Sequence, residues 1–172
     1  MKIFCFLLIT FFVCPLFSHP PKKYLSWQDV QEMCISMKAK CDQHSSSWKG
    51  MIVITRGGLV PGAFLSQSMN LKNIRVLGVA SYKKTQQGNL KKFYHPEDIK
   101  EGGEGWLVVD EISDTGETLK YIRTLYPKAF YVSMVVKPKG KPQVDAYGAE
   151  SDQETFIVFP WEKEALDTRI AS

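Results

Sequence analysis

Apolar positions along the chain follow two periodicities. Trp27, Val30, Met33, Cys34, Met37 and Cys41 recur at three- and four-residue intervals, the stripe of a helix buried on one face. Ser26 precedes this stripe as an N-cap, with Asp29 three residues on as its capping-box partner. Asp42 to Ser47 reads as the polar loop that ends the helix. Unbroken apolar runs of strand length follow: Met51-Ile52-Val53-Ile54, Ile74 to Tyr82, Trp106-Leu107-Val108-Val109, Phe130 to Val136, and Phe156-Ile157-Val158-Phe159. Two more helices are predicted between them, one with Pro61 in its first turn and ending near Asn70, the other from Glu117 to about Tyr126. Residues 83–104 are polar, lysine-rich and without a sustained period. Such a stretch predicts a long loop or flexible hairpin, often a functional lid. Apolar strands alternating with helices predict an α/β fold, a doubly wound parallel sheet covered on both faces. Ligands of such folds bind beyond the carboxyl ends of the strands.

Composition changes this picture little. The chain has 172 residues, 44% hydrophobic and 23% charged, with a formal net charge of +4, which suits one globular domain and argues against disorder and membrane bundles. Basic residues are scattered, with a local excess from Lys83 to Lys100. No arginine-rich or aromatic-interleaved stretch points to nucleic acid. Residues 1–21 stand apart: Met1-Lys2 leads into an apolar run from Ile3 to Phe17. This extension fits a secretory signal, a mis-assigned start, or a membrane-associating segment. The run is short for a spanning helix, and Leu16-Phe17-Ser18 places a large residue where a cleavage site wants a small one. Residues 22–172 are therefore read as the folded domain. Cys34 and Cys41 lie seven positions apart on one predicted helix, a rise of roughly 10 Å against a disulfide reach of about 7 Å. Two reduced thiols are expected, which suits a reducing compartment.

The chemistry concentrates at two strand ends. Val108-Val109 runs into Asp110-Glu111-Ile112-Ser113-Asp114-Thr115-Gly116-Glu117-Thr118. A turn rich in Ser, Thr and Gly that opens a helix offers free backbone N–H groups at the positive end of the helix dipole. Gly116 lets an anion approach the backbone closely. Two adjacent carboxylates beside such a cradle suit ribose hydroxyls and a magnesium ion. Neither a Walker loop nor a Rossmann fingerprint is present. The other strand end carries Thr55-Arg56-Gly57-Gly58. A lone Asp-Thr-Gly is more often a plain capped turn; the full run is far more specific.

These residues resemble the phosphoribosyl pyrophosphate (PRPP) motif of type I phosphoribosyltransferases. Trp48-Lys49-Gly50, Arg56-Gly57-Gly58-Leu59-Val60-Pro61-Gly62-Ala63 and Val136-Lys137-Pro138 are similar to one branch, bacterial xanthine-guanine phosphoribosyltransferase, over about Tyr24 to Trp161. The resemblance implies an enzyme of purine salvage with a flexible hood loop beginning at Ser81-Tyr82. That enzyme joins PRPP to guanine or xanthine, and hypoxanthine less well, forming GMP, XMP or IMP and pyrophosphate. Arg56 and Gly57 match the pyrophosphate loop, where the family has a non-proline cis peptide. Asp110 and Glu111 match the acids that meet ribose hydroxyls and Mg2+, with Glu111 as the metal contact. The stretch Ile112, Ser113, Asp114, Thr115, Gly116, Glu117 and Thr118 matches the PRPP-binding run, with the 5′-phosphate cradle from Ser113 to Thr118. Asp114 matches the catalytic acid near the purine N7, Lys137 the reader of the 6-oxo group, and Phe156 and Ile157 the base-stacking ring and the backbone at the purine 2-position. A homotetramer acting in the cytoplasm is implied, with peripheral contact to the inner face of the membrane as a role for residues 1–21.

Four positions depart from the family pattern. Glu111 stands where Asp is more common, Gly88 replaces an arginine before Asn89-Leu90-Lys91, Glu117 replaces a glycine, and Phe156 replaces a tryptophan. Without that arginine, loop contact to pyrophosphate falls to Lys83, Lys84, Lys91 or Lys92, or is weaker. The rival reading is a regulatory protein that keeps the PRPP fold and binds nucleic acid without catalysis; Asp114 and Lys137 weigh against it.

Overall fold

The computed structural model describes residues 20–81 and 90–170. Along the chain run β1 (Lys22–Tyr24), α1 (Trp27–His44), β2 (Gly50–Thr55), α2 (Leu59–Ser68), β3 (Ile74–Ser81), β4 (Leu90–Tyr94), β5 (Trp106–Ser113), α3 (Glu117–Leu125), β6 (Phe130–Val136), β7 (Ala146–Glu150), β8 (Phe156–Val158) and α4 (Lys163–Ile170). Successive side chains of a strand point to opposite faces, and β2 shows the consequence. Met51 and Val53 enter one buried cluster with residues of α1 and α2, while Ile52 and Ile54 enter another with Leu119 and Ile122 of α3. The sheet is thus covered on both sides, as its unbroken apolar strands require.

The main sheet has the order β4-β3-β2-β5-β6-β7. The five strands from β3 to β7 are parallel and β4 closes one edge antiparallel to β3. The lysine-rich stretch read as a loop or hairpin therefore contributes an edge strand; its residues 83–89, and Tyr82 before them, lie outside the described residues. β1 and β8 pair separately and in parallel, Lys22 opposite Phe156 and Tyr24 opposite Val158. Among the described residues, no helix is long and apolar enough to cross a membrane.

Two sequence expectations for α1 need correction. Trp27 does not join the buried stripe; it is 50% exposed at the first helical position, its ring tilted against Trp161 at 5.8 Å. The helix also continues past Asp42 to His44. An ion pair ties Asp42, the first extra residue, to Lys38 one turn earlier, and the His44 ring stacks on Phe130 at 4.1 Å. These contacts outweigh the polar character that suggested a loop. The N-terminus is as expected: the Asp29 N–H donates to Ser26 Oγ and the Ser26 N–H to Asp29 Oδ2, the reciprocal capping box. Three elements carry no local signal. β7 has the sequence Ala-Tyr-Gly-Ala-Glu and forms because β6 offers an edge and α1 covers it. A side chain at Gly148 would meet Met33 and the Met134 carbonyl within 2.8 Å. β1 and α4 likewise arise by docking.

Cys34 and Cys41 are free and fully buried. Burial pushes their thiols up to about 11 and about 12, so thiolate is scarce at neutral pH and the side chains are shielded. Both should stay unlabelled by a thiol reagent at pH 8 in the native protein and label rapidly after denaturation, as peptide mapping would show. Fast native labelling of either would contradict this packing.

Candidate active site

The acidic pair sits on β5 itself. The strand does not stop at Val109 but continues through Ser113, so Asp110 and Glu111 have strand geometry and unequal surroundings. Asp110 is 7% exposed and its Oδ1 accepts from the Glu111 N–H at 3.0 Å. Burial, then the hydrogen bond and charge of the Glu111 side chain, holds the Asp110 carboxyl well above the usual carboxylate range, against the backbone hydrogen bond that lowers it. Glu111 is only half-buried and its carboxyl lies against Gly57, where a Cβ would fall 1.5 Å from Glu111 Cδ. The absence of a side chain at Gly57 therefore lets the carboxylate meet the turn after β2. Glu111, Arg56, Gly57, Leu59 and Val60 line a cavity of about 610 Å³ together with Trp161, Glu162 and Lys163. The Thr55–Arg56 peptide in this turn is cis.

A second cavity, of about 100 Å³, is lined by the run from Ile112 to Leu119. Gly116 caps α3 in the left-handed region at φ 80°, a conformation costly for other residues. The first N–H of α3, from Glu117, reaches Thr115 Oγ1 at 3.5 Å, and a helix N-terminus of this kind suits an anion at its positive end. Thr115 and Thr118 keep hydroxyls in this turn. Ser113 does not offer its donor there: it is 2% exposed and its hydroxyl donates to the Gly140 carbonyl at 3.0 Å.

The loops after β5 and β6 are tied together. The Lys137 N–H donates to the Ser113 carbonyl at 3.0 Å, and a Cβ at Gly140 would lie 2.1 Å from the same oxygen. This tie brings Lys137 Nζ to 3.0 Å from Asp114 Oδ2. The lysine side chain is 6% exposed and the aspartate 49%, so the pair opens to solvent from the acid's side. Gln153 Nε2 donates to the other oxygen, Oδ1, at 2.6 Å.

Two expected groupings thus form: Arg56 and Gly57 with Glu111, and Asp114 with Lys137. Phe156 lies on β8 and is 47% exposed, with Lys22 Nζ 6.0 Å from its ring centre. Its N–H is engaged by the Pro21 carbonyl at 2.8 Å. Ile157 is buried. Tyr82, Lys83, Lys84, Gly88 and Asn89 lie outside the described residues. Gln153 and Lys163 were not legible: each lies in a short polar run far along the chain from its neighbours in the site.

The packing of Gly140 predicts a contrast between two glycines. Gly140→Ala drives a methyl group into backbone and should destabilise the fold by about 1–3 kcal/mol. Gly57→Ala meets only the end of a flexible side chain and should cost less than about 1 kcal/mol. Urea denaturation midpoints at constant slope would compare them; equal losses would deny the tie at Ser113.

No family model matches the chain. Among solved structures it is similar to a purine phosphoribosyltransferase from Pyrococcus horikoshii, at 26% identity and TM-score 0.72, covering 83% of this chain and 95% of that one. It is similar to the Helicobacter pylori xanthine-guanine-hypoxanthine phosphoribosyltransferase at 24% identity and TM-score 0.73, covering 87% and 99%. A hypothetical protein from Neisseria gonorrhoeae solved with bound ppGpp is similar at 20% identity and TM-score 0.70, covering 88% and 95%. The chain has the type I phosphoribosyltransferase fold, and the solved structures it resembles include purine phosphoribosyltransferases.

Proposed function

We propose that this protein transfers the 5-phosphoribosyl group from PRPP to a 6-oxopurine, with guanine and xanthine preferred over hypoxanthine. The observation that carries the reading is the pair of Asp114, in the run before α3, with Lys137, which follows β6, 3.0 Å apart. An ammonium and a carboxylate side by side match adjacent groups on one purine edge: the 6-oxo oxygen accepts from Lys137 and the N7 proton faces Asp114.

In this reading the first turn of α3, with Thr115 and Thr118, holds the 5′-phosphate. The cavity between Arg56-Gly57 and Glu111 takes the pyrophosphate end. A bond forms between a purine nitrogen and C1 as the C1–oxygen bond breaks; the electron pair leaves with pyrophosphate and the N7 proton passes to Asp114. Positive character builds on the ribose in the transition state, so the protein's work is to position the reactants and to stabilise the departing charge. Glu111 suits magnesium: it is an accessible oxygen donor beside the pyrophosphate cavity. Among the described residues no cluster of three His, Cys, Asp or Glu forms a cage, and magnesium commonly takes one or two carboxylates with substrate oxygens and water. The ion would neutralise part of the pyrophosphate charge. Buried Asp110, at the same strand end, would meet the ribose hydroxyls in this reading. The reduced state of Cys34 and Cys41 and the use of PRPP support a cytoplasmic site of action. The resemblance supports a homotetramer, and Ile74, Val76 and Tyr94 offer exposed apolar area at the β3–β4 edge for self-association. Peripheral contact with the membrane remains the role proposed for residues 1–21.

Asp114→Asn should keep the fold and the KM for PRPP while lowering turnover about 10²-fold, as expected for loss of a general acid/base. Pyrophosphate release measures this, and near-normal turnover would remove Asp114 from the role.

Base choice is tested by kcat/KM across four purines. Adenine puts an amino group opposite Lys137 and leaves a buried donor unpaired, at about 1–3 kcal/mol or more for a charge. Guanine and xanthine should exceed hypoxanthine, with adenine essentially inert. Adenine use comparable to guanine would overturn the role of Lys137. Hypoxanthine as the best substrate would overturn the 2-position preference alone.

A further inference from the structure

We propose that Gln153 is a positioning residue for Asp114, holding one carboxylate oxygen so that the other is presented to the purine. This rests on the role given to Asp114 above. The geometry is a relay of three groups. The backbone N–H of Lys139 donates to Gln153 Oε1 at 3.0 Å. A backbone N–H can only donate, so the amide oxygen must face it and the amide NH2 must face the other way. That side meets Asp114 Oδ1 at 2.6 Å. Oδ2 is left to Lys137 at 3.0 Å.

The two oxygens therefore have different prospects when a purine arrives. Lys137 is needed by the 6-oxo group and the N7 proton needs a carboxylate oxygen. Both needs are met if Lys137 turns from Oδ2 to the base and the N7 proton takes its place. Gln153 does not have to move, because no group of the purine competes for its bond. It keeps the carboxylate from rotating, and its bond to a charged acceptor is of the stronger kind. Gln153 also lies between β7 and β8, three residues before Phe156, so the same contact couples the segment leading to the base-stacking ring to the acid.

Two substitutions separate donation from simple packing. Gln153→Met keeps the length and removes the donor. Gln153→Glu keeps an oxygen for the Lys139 N–H and turns a negative charge towards Asp114. Steady-state pyrophosphate release with guanine gives kcat and the KM for PRPP, and urea denaturation midpoints report folding. With Q153M, kcat should fall about tenfold, with the KM for PRPP within about twofold. With Q153E it should fall at least a further tenfold. If Q153E loses its fold, the split between kcat and KM in Q153M decides alone. A wild-type kcat in Q153M, equal losses in both folded variants, or a parallel loss of PRPP affinity would each overturn the positioning role while leaving the proposed reaction intact. A wild-type protein inert with every purine would overturn both.

Discussion

Beyond the sheet, the loop after β5 is locked to the loop after β6, and the site's chemistry depends on that lock. The Ser113 carbonyl accepts from the Lys137 N–H and the Ser113 hydroxyl donates to the Gly140 carbonyl, each at 3.0 Å. Both groups are buried, so leaving either unpaired would be costly. The absence of a side chain at Gly140 lets the two backbones come this close. Parallel pairing of β5 with β6, Ser113 opposite Val136, delivers the loops in register. Asp114 and Lys137, the residues next in line, then face each other. Gly116, packed against Gly140 and Gln143, turns the chain into α3.

Placing Asp110 and Glu111 on a strand, rather than in a turn, separates them by environment. Desolvation favours the neutral form of the buried Asp110 carboxyl, whereas Glu111 reaches the cavity beside Gly57. Adjacent residues of one type are thereby suited to different partners: one to hydroxyl groups in a dry setting, the other to cations at an open one. The longer side chain of Glu111, a departure from the family pattern, fits this reach. Its carboxyl occupies the space that a side chain at residue 57 would take, so the glycine and the glutamate are complementary.

Lys163 lines the same cavity as Arg56 and Glu111, together with Glu162, so two cations there face two carboxylates. It arrives on α4, far along the chain from the mid-chain lysine-rich stretch in which such a charge was sought.

Much of this protein is local and therefore legible in order along the chain. Strand and helix periodicities, the capping box at Ser26, the acidic run into a glycine-capped helix and the arginine-glycine turn all depend on residues a few positions apart. Those spacings predicted the doubly wound sheet and most of the candidate site residues. The C-terminal ends of α1 and β5, the exposure of Trp27, and the strands β1 and β7 were not legible, because each is settled by docking against distant elements. The same holds for the finer chemistry. Whether the Ser113 hydroxyl serves an anion or the fold is decided by Gly140, 27 positions away. Which group steadies Asp114 is decided by Gln153, 39 positions away. Local sequence encodes the residue types and backbone turns a site requires; the division of hydrogen bonds among them is decided only when the packed sheet brings remote segments within 3 Å.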